Sequence, residues 1–253
     1  MMRIIFTVLF LVSLSAYAQT LTIFAASDLR FALDEVKKNF MKRYPNATVR
    51  TVYGSSGKGK VQIANGAPYD LYFSANMDYA EQLYKSGDIV TKPALYAVGR
   101  LVIWSAHRNF NAKSGFDNLN APWVKKIAIA NPSHAPYGEK AKEALERKEL
   151  FDSLRSKIIL GENISQTANF IKTKAADIGI VALSLVSTPM IAQSEYRDYY
   201  LIDDTLHRPL RQGYGITKYG EKNDLAYAFV RFLNTDTSRA LMKRYGFSVP
   251  EKD

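Results

Sequence analysis

The chain has 253 residues, of which 47% are hydrophobic, and it contains no cysteine. The absence of cysteine excludes disulfide bridges, thiolate metal sites, catalytic thiols and a lipid anchor attached to a cysteine. The formal net charge of +10 comes from Lys and Arg scattered in pairs among acidic residues, which indicates solvated helix faces and does not favour a nucleic-acid surface.

The first residues have the order of a secretory signal peptide. Met1-Met2-Arg3 is followed by the apolar run Ile4 to Leu14 and by Ala16-Tyr17-Ala18, an A-x-A cleavage signal. We expect residues 1–18 to be removed before Gln19. The apolar run is shorter than the ~20 residues that span a bilayer. The sequence therefore predicts an exported protein, located in the periplasm, without a membrane anchor.

The following residues alternate between predicted strands and helices. Apolar or β-branched segments at 21–26, 48–53 and 69–75 predict strands, and a helical pattern follows each of them. This alternation predicts a parallel sheet with helices on its faces. The pattern restarts with predicted strands at 101–104, 126–130, 158–160 and 178–182. We expect one discontinuous lobe from residues 19–97 and 212–253 and a second lobe from residues 98–211, with a hinge of crossing strands.

Small and hydroxylated residues occupy the turns where predicted strands lead into helices. Ala25-Ala26-Ser27-Asp28 and Gly54-Ser55-Ser56-Gly57 are the clearest cases. The start of a helix leaves N–H groups unpaired and carries roughly half a positive charge. Several helix starts directed at one point therefore predict an anion receptor, and such a receptor needs no catalytic residue.

An enzymatic alternative rests on the run G-S-S-G-K-G-K-V at residues 54–61, which resembles a nucleotide-binding P-loop. Val61 stands where that motif needs a Ser or Thr to hold magnesium, so an exported phosphate-ester hydrolase is the weaker hypothesis. A G-x-S-x-G nucleophile motif is absent. The three histidines are too scattered for a local metal pair, and His134 is the one placed in a predicted cleft loop.

Two further side chains leave alternatives open. Asp28 is interpreted first as a helix cap, and second as an acceptor for the proton of a ligand such as hydrogen phosphate. Tyr137 is either an ordinary turn aromatic or a phenol that donates to an anion.

A set of motifs along the chain resembles the periplasmic molybdate-binding proteins of ABC transporters. These motifs are Ala25-Ala26-Ser27, Gly54-Ser55-Ser56-Gly57, Gly66-Ala67-Pro68-Tyr69-Asp70-Leu71, Ala130-Asn131-Pro132, Ala135-Pro136-Tyr137-Gly138-Glu139-Lys140-Ala141, Gly161-Glu162-Asn163-Ile164, Gly179-Ile180-Val181-Ala182 and Arg244-Tyr245-Gly246-Phe247. The resemblance implies a periplasmic binding protein type II fold of two α/β lobes. It also implies an oxyanion held between them by hydroxyl and main-chain N–H groups, with no balancing cation.

The resemblance also implies which residues contact the anion. Ser27 and Ser56 are expected from the first lobe, and Ser55 is the neighbour that replaces or assists Ser56. Tyr137 and the main-chain N–H of Ile164 are expected from the second lobe.

Secondary candidates are Ala26, Asp28 and Ala182. In one branch of the family a tyrosine occupies the position of Ala182 and a small residue that of Tyr137, and here the phenol has moved to Tyr137.

The expected ligand is molybdate, with tungstate as a second ligand and sulfate or phosphate as the alternative within the same class. The expected partner is an inner-membrane ABC permease. We expect a monomer that uses no cofactor, catalyses no reaction, and binds neither nucleic acid nor a cation.

Overall fold

The computed structural model describes residues 19–251, so the predicted signal peptide lies outside the described residues. Within that range the chain forms ten strands. They are β1 (Gln19–Ala26), β2 (Ala47–Gly54), β3 (Leu71–Ser74), β4 (Ala94–Gly99), β5 (Leu101–Trp104), β6 (Ile127–Ala130), β7 (Ile158–Gly161), β8 (Ile178–Ala182), β9 (Tyr199–Leu201) and β10 (Leu210–Ile216).

Helices alternate with these strands along most of the described chain. They are α1 (Arg30–Arg43), α2 (Ser56–Ala64), α3 (Met77–Lys85), α4 (Pro136–Arg147), α5 (Phe151–Leu154), α6 (Ile164–Lys172), α7 (Leu183–Val186), α8 (Pro189–Ala192), α9 (Asp224–Leu233) and α10 (Asp236–Arg244). Short 3-10 turns occupy Ser27–Leu29, Ala112–Asn120, Arg155–Lys157 and Asp204–Leu206. None of the helices in residues 19–251 combines the length and apolar character needed to cross a membrane.

The strands form two five-stranded sheets, one in each lobe, with the orders β2-β1-β3-β10-β4 and β7-β6-β8-β5-β9. In the first sheet β1 runs parallel to β2 and β3, and β10 runs antiparallel to β3 and β4. In the second sheet β6 runs parallel to β7 and β8, and β5 runs antiparallel to β8 and β9. The predicted fold class of two α/β lobes is therefore confirmed, but both sheets are mixed where a parallel sheet was predicted.

The antiparallel strands are the ones that enter a sheet directly from the other lobe. Arg100 alone separates β4 of the first sheet from β5 of the second, and residues 202–209 connect β9 back to β10. A helical crossover would have made these neighbours parallel. Because the chain passes between the lobes at two adjacent places, these two connections form the hinge.

The first lobe has its larger core between one face of its sheet and helices α1, α9 and α10. Leu33 and Phe40 of α1 are fully buried there, as is Phe229 of α9, and the rings of Phe40 and Phe229 meet edge-on at 5.0 Å. Burying each such side chain stabilises the fold by about 1.5 to 3 kcal/mol. The two terminal helices therefore complete the first lobe after the chain has returned from the second.

The second lobe packs its sheet against α4 and α6. Ala141 and Leu145 of α4 and Ile171 of α6 are fully buried against the apolar strands β6 and β8. Gly138 lets the start of α4 approach β6 closely, because a Cβ atom at this position would lie 2.0 Å from the carbonyl oxygen of Ala130. The packing thereby fixes the N-terminus of α4 at the end of β6.

Parallel pairing brings the ends of several strands to one edge of each sheet. Ala26 of β1 pairs with Gly54 of β2, and Ala130 of β6 pairs with Gly161 of β7. The turns that follow these residues therefore lie together, and the crevice beyond the carboxyl ends of strands is where α/β folds bind ligands.

Candidate functional site

A small cavity lies between the two lobes at the carboxyl ends of these strands. Its volume is about 10 Å³, measured as the space open to the centre of a water-sized sphere. Its lining residues come from both lobes: Ala26, Ser27, Asp28, Gly54, Ser55, Ser56, Ala75, Ala135, Pro136, Tyr137 and Ile164. The structure thus brings together every predicted site residue except Ala182, which is the buried last residue of β8 and does not line this cavity.

Three helices begin at the cavity wall. Ser56 and Ile164 are the first residues of α2 and α6, and Tyr137 is the second residue of α4 after Pro136. Within residues 19–251, the main-chain N–H groups of these three residues make no hydrogen bond to another main-chain group. First-turn N–H groups have no intrahelical acceptor, and they lie at the positive end of the helix dipole. The cavity wall therefore offers hydrogen-bond donors from both lobes.

The hydroxyl groups of the neighbouring serines Ser55 and Ser56 have different partners. Ser56 Oγ accepts a hydrogen bond from the N–H of Ala75 at 2.9 Å, and its own proton has no acceptor among the described residues. Ser55 Oγ lies 2.8 Å from Nδ1 of His134 in the opposite lobe. Ser56 is therefore the member of the pair with a donor available to a ligand.

Ser27 connects the two lobes on another side of the cavity. Its Oγ donates to Oδ1 of Asn163 at 3.1 Å and accepts from the N–H of Ser165 at 3.3 Å. Asn163 Oδ1 also caps α6 by accepting from the N–H of Gln166 at 3.0 Å. Since Asn163 Oδ1 keeps this second donor, Ser27 can redirect its proton into the cavity without leaving the asparagine oxygen unpaired.

Asp28, Tyr137 and Gln212 form a buried polar cluster that spans the lobes. The Tyr137 hydroxyl donates to Asp28 Oδ2 at 3.0 Å, and Gln212 Nε2 donates to the same oxygen at 2.9 Å and to the Tyr137 hydroxyl at 2.9 Å. The phenol proton of Tyr137 is thus directed at Asp28. The donor that Tyr137 has available at the cavity wall is its main-chain N–H.

Burial raises the pKa of the Asp28 carboxyl to about 6, although the hydrogen bonds from Gln212 and Tyr137 and the nearby main-chain N–H groups lower it. Burial, followed by the charge of Asp28, also raises the pKa of the Tyr137 phenol well above its usual value. The interpretation of Asp28 as the helix cap is wrong, because Ala26 is the N-cap of the 3-10 turn Ser27–Leu29 and Leu29 is the N-cap of α1; Asp28 lies within that 3-10 turn.

A second set of contacts joins the lobes at the rim of the cavity. The N–H of Gly57 donates to the carbonyl oxygen of His134 at 2.9 Å, and Lys58 forms an ion pair with Glu162. His134 Nε2 lies 3.8 Å from a second oxygen of Glu162. We call Ser55, Gly57, Lys58, His134 and Glu162 the rim latch. It was not predicted, because its members meet only when the two lobes close on each other.

The P-loop-like run does not direct its lysines into the cavity. Lys58 pairs with Glu162, and Lys60 hydrogen-bonds to Gln82 and lies over the ring of Tyr79 at 5.4 Å. Neither lysine is among the lining residues. In the described part of the chain no group of three or more His, Cys, Asp or Glu is arranged to hold a metal ion.

Three further residues that contact the site residues could not be found from the sequence alone. Gln212 belongs to β10, which was not predicted as a strand. Ala75 ends the predicted strand 69–75 and Ser165 follows the predicted site residue Ile164, but no motif marks either as part of the site. Their contacts with the site depend on the tertiary fold.

Comparisons of this chain with known proteins agree on one family. The family model described as bacterial extracellular solute-binding protein matches residues 21–248. The YvgL protein of Bacillus subtilis, whose name describes an ABC transporter substrate-binding lipoprotein, is 33% identical over 90% of this chain and 86% of its own length. The molybdate-binding protein ModA of Azotobacter vinelandii is 30% identical over 94% of each chain.

Solved structures agree with these sequence relatives. The periplasmic molybdate-binding protein of Azotobacter vinelandii superposes with a TM-score of 0.84 at 29% identity, covering 91% of this chain and all of that one. A substrate-binding domain of a molybdenum ABC transporter from Clostridium difficile superposes with a TM-score of 0.64 at 25% identity, covering 92% and 99% of the two chains. The match of the family model over nearly all of the described residues shows that this chain belongs to the bacterial extracellular solute-binding proteins.

Proposed function

We propose that this protein captures molybdate, and tungstate with it, between its two lobes and delivers the anion to an ABC transporter permease. The observation that carries the proposal is the convergence of three helix N-termini from both lobes on a small cavity with no Lys, Arg or His in its lining. Donors without a compensating cation suit a reversibly bound oxyanion. The relatives named as molybdate-binding proteins support the identity of that oxyanion.

The proposed ligand contacts come from both lobes. Ser56 gives its hydroxyl proton and its main-chain N–H, and Ser27 gives its hydroxyl proton. Tyr137 and Ile164 give main-chain N–H groups from the starts of α4 and α6. Ser55 acts through His134 in the rim latch, so its contact with the anion is the weaker part of the proposal.

The number of donors fits the affinity that a scavenging receptor needs. Each hydrogen bond to a charged group contributes about 1.5 to 3 kcal/mol, so five such bonds give roughly 8 to 15 kcal/mol. Micromolar to nanomolar binding requires about 8 to 12 kcal/mol. The five bonds therefore cover this range, and the costs of dehydrating the anion and ordering the lobes lower the net affinity from the first figure.

Selection among tetrahedral oxyanions follows from the fixed positions of these donors. Helix starts packed on strand ends cannot move inward, and a smaller ion such as sulfate leaves some hydrogen bonds too long. Sulfate or phosphate as the main ligand is therefore the second candidate within the same class. The exported phosphate-ester hydrolase is disfavoured because Lys60 lies away from the cavity.

Several properties belong to the same proposal. Periplasmic location after cleavage of residues 1–18 and an inner-membrane permease as partner are supported by the family and by the signal-like N-terminus. A monomeric state is proposed with them. We further propose that the protein binds its ligand without turnover, without a cofactor and without nucleic acid. We also propose that residues 98–211 form the second lobe and that the residues on either side of them form the first.

The proposal is tested by calorimetric titration of the purified mature chain with molybdate, tungstate, sulfate and phosphate. We expect dissociation constants below about 1 µM for molybdate and tungstate, and binding of the other two anions roughly a hundredfold weaker. No saturable binding of molybdate at micromolar concentration would overturn the proposal. Tighter binding of sulfate or phosphate would replace molybdate by that anion.

A further inference from the structure

Asp28 contributes the one carboxyl group in the lining of the cavity. The side chain is 1% exposed, and it lies on the wall that we propose to receive a dianion. A carboxylate at this place would repel the ligand in a region of low dielectric constant. Its protonation state therefore bears directly on whether the lobes can close on an anion.

The two oxygens of Asp28 have unequal surroundings. Oδ2 accepts two hydrogen bonds, from the Tyr137 hydroxyl and from Gln212 Nε2. Oδ1 is buried and has no hydrogen-bond partner among the described residues. A buried acceptor without a donor is costly, whereas a protonated oxygen at the same place is itself a donor. The contacts thus leave Oδ1 as the position for a proton.

The elements packed around Asp28 supply no positive charge. Tyr137 faces it from α4, Tyr96 faces it from β4, and Gln212 contacts it from β10. Ser184 of α7 donates to its main-chain carbonyl at 2.8 Å. Among the described residues no Lys, Arg or His forms a hydrogen bond or ion pair with this carboxyl group. Hydrogen bonds from neutral groups are therefore the compensation that a negative charge on Asp28 finds among these partners, and they do not offset its burial.

We propose that Asp28 is a neutral carboxylic acid in the closed, anion-bound protein, with its proton on Oδ1 as a further donor to the oxyanion, so that capture of the dianion takes up one proton from solvent. This inference rests on the proposed function. The acid proton is lost again when the lobes separate, because opening removes Tyr137 and Ser184 from Asp28 and admits water. Asp28 is thereby neutral when the lobes are closed and negatively charged when they are open.

The direction in which anion affinity changes with pH follows from the pKa of Asp28 in the free and bound protein. An aspartate exposed to water has a pKa of about 3.9. Burial between the lobes raises the pKa of Asp28 to about 6. A bound dianion adds negative charge beside the group and moves the pKa further in the same direction. Binding is therefore strongest at low pH and weakens, by up to tenfold per pH unit, as pH rises towards the pKa of the complex.

The direct test is calorimetry with molybdate at pH 6.0 in two buffers that differ in ionisation enthalpy. We expect the wild-type protein to take up about 0.5 to 1 proton per molybdate bound, since the open form is nearly fully ionised at this pH. Asp28→Asn should take up none. Asp34→Asn changes an exposed carboxylate on α1 and serves as the matched control, with the same uptake as the wild type.

The pH dependence of the affinity gives the second readout. Asparagine resembles the neutral acid in shape and offers a donor, so Asp28→Asn should hold its affinity between pH 6 and 8 while the wild type weakens. At pH 8 the variant is expected to bind molybdate at least as tightly as the wild type. Melting temperatures of both proteins establish that the variant is folded.

Tight molybdate binding with no proton uptake and a pH-independent dissociation constant would overturn the inference and leave the proposed function in place. A folded Asp28→Asn variant that loses binding more than about a hundredfold at every pH would also overturn it, because the carboxylate would then be an acceptor for a protonated ligand. Failure of the wild type to bind molybdate at any pH would instead overturn the proposed function.

Discussion

Replacing Gly57 with alanine places a methyl group against the opposite lobe. An ideal Cβ atom at this position lies 2.7 Å from the carbonyl oxygen of His134 and 3.1 Å from its Cα. The clash involves main-chain atoms, which cannot rotate away as a flexible side chain could. Within α2 itself alanine is more favourable than glycine by about 0.5 to 1 kcal/mol. The substitution therefore opposes closure of the lobes without weakening the lobe that carries it.

The magnitude follows from the contacts that full closure makes at the rim latch. A displaced His134 loses its hydrogen bond from Gly57 N–H and its contact with Ser55, each worth about 0.5 to 1.5 kcal/mol. The exposed ion pair of Lys58 and Glu162 adds about 0.2 to 1 kcal/mol. Together these losses predict that Gly57→Ala weakens molybdate binding roughly tenfold to a thousandfold.

Calorimetric titration measures the affinity, and small-angle scattering with and without molybdate measures closure. Val61→Ala, at an exposed position of the same helix, is the control and should bind like the wild type. The melting temperature of Gly57→Ala without ligand should equal or slightly exceed that of the wild type. An unchanged dissociation constant for Gly57→Ala would refute the reasoning that this face meets the second lobe in the bound state.

Two further predictions concern the serine pair and acid stability. Ser56→Ala should weaken molybdate binding roughly tenfold more than Ser55→Ala, because of these two serines Ser56 is the one with a free hydroxyl proton. Calorimetric titration of both variants measures the difference. A larger loss of affinity in Ser55→Ala would contradict the assignment of Ser56 as the ligand contact. Partial burial raises the pKa of Glu143, but hydrogen bonds from Arg208 and Lys140 lower it to about 2. The ionised Glu143 therefore stabilises the fold above pH ~4.5, and this contribution is lost as pH falls towards 2. Over that interval the melting temperature of Glu143→Gln should fall less than that of the wild type. Equal decreases in melting temperature would contradict the contribution.

The buried strands could be predicted closely from the sequence. Residues 101–104 and 178–182 are continuous apolar runs, every residue in them is buried, and the structure confirms both strands at the predicted bounds. Strand β10 was not predicted, because its sequence combines Arg211, Gln212 and two glycines with few apolar residues. Its position beside the hinge, and not its own propensity, makes it a strand.

From the residues alone, without the family resemblance, the candidate site was predictable only as a set of turns before helices. Small residues before helices mark Ser27 and Ser56 locally, because helix starts have a characteristic sequence pattern, whereas Ile164 was expected from the family resemblance. The contacts of Asp28 with Tyr137 and Gln212 join residues 109 and 184 positions apart. Such pairings depend on how the lobes dock, so the roles of the Tyr137 phenol and of Asp28 required the folded structure.

The central claim is that molybdate binds between the lobes at the converging helix starts. A crystal structure of the protein with molybdate, measured at the molybdenum absorption edge, tests this claim most directly. We predict one strong anomalous peak in the cavity, within hydrogen-bonding reach of the Ser56 hydroxyl and of the main-chain N–H groups of Tyr137 and Ile164. A peak elsewhere, such as the larger groove beside Trp104 and Lys172, or no peak in a crystal grown with saturating molybdate, would contradict it.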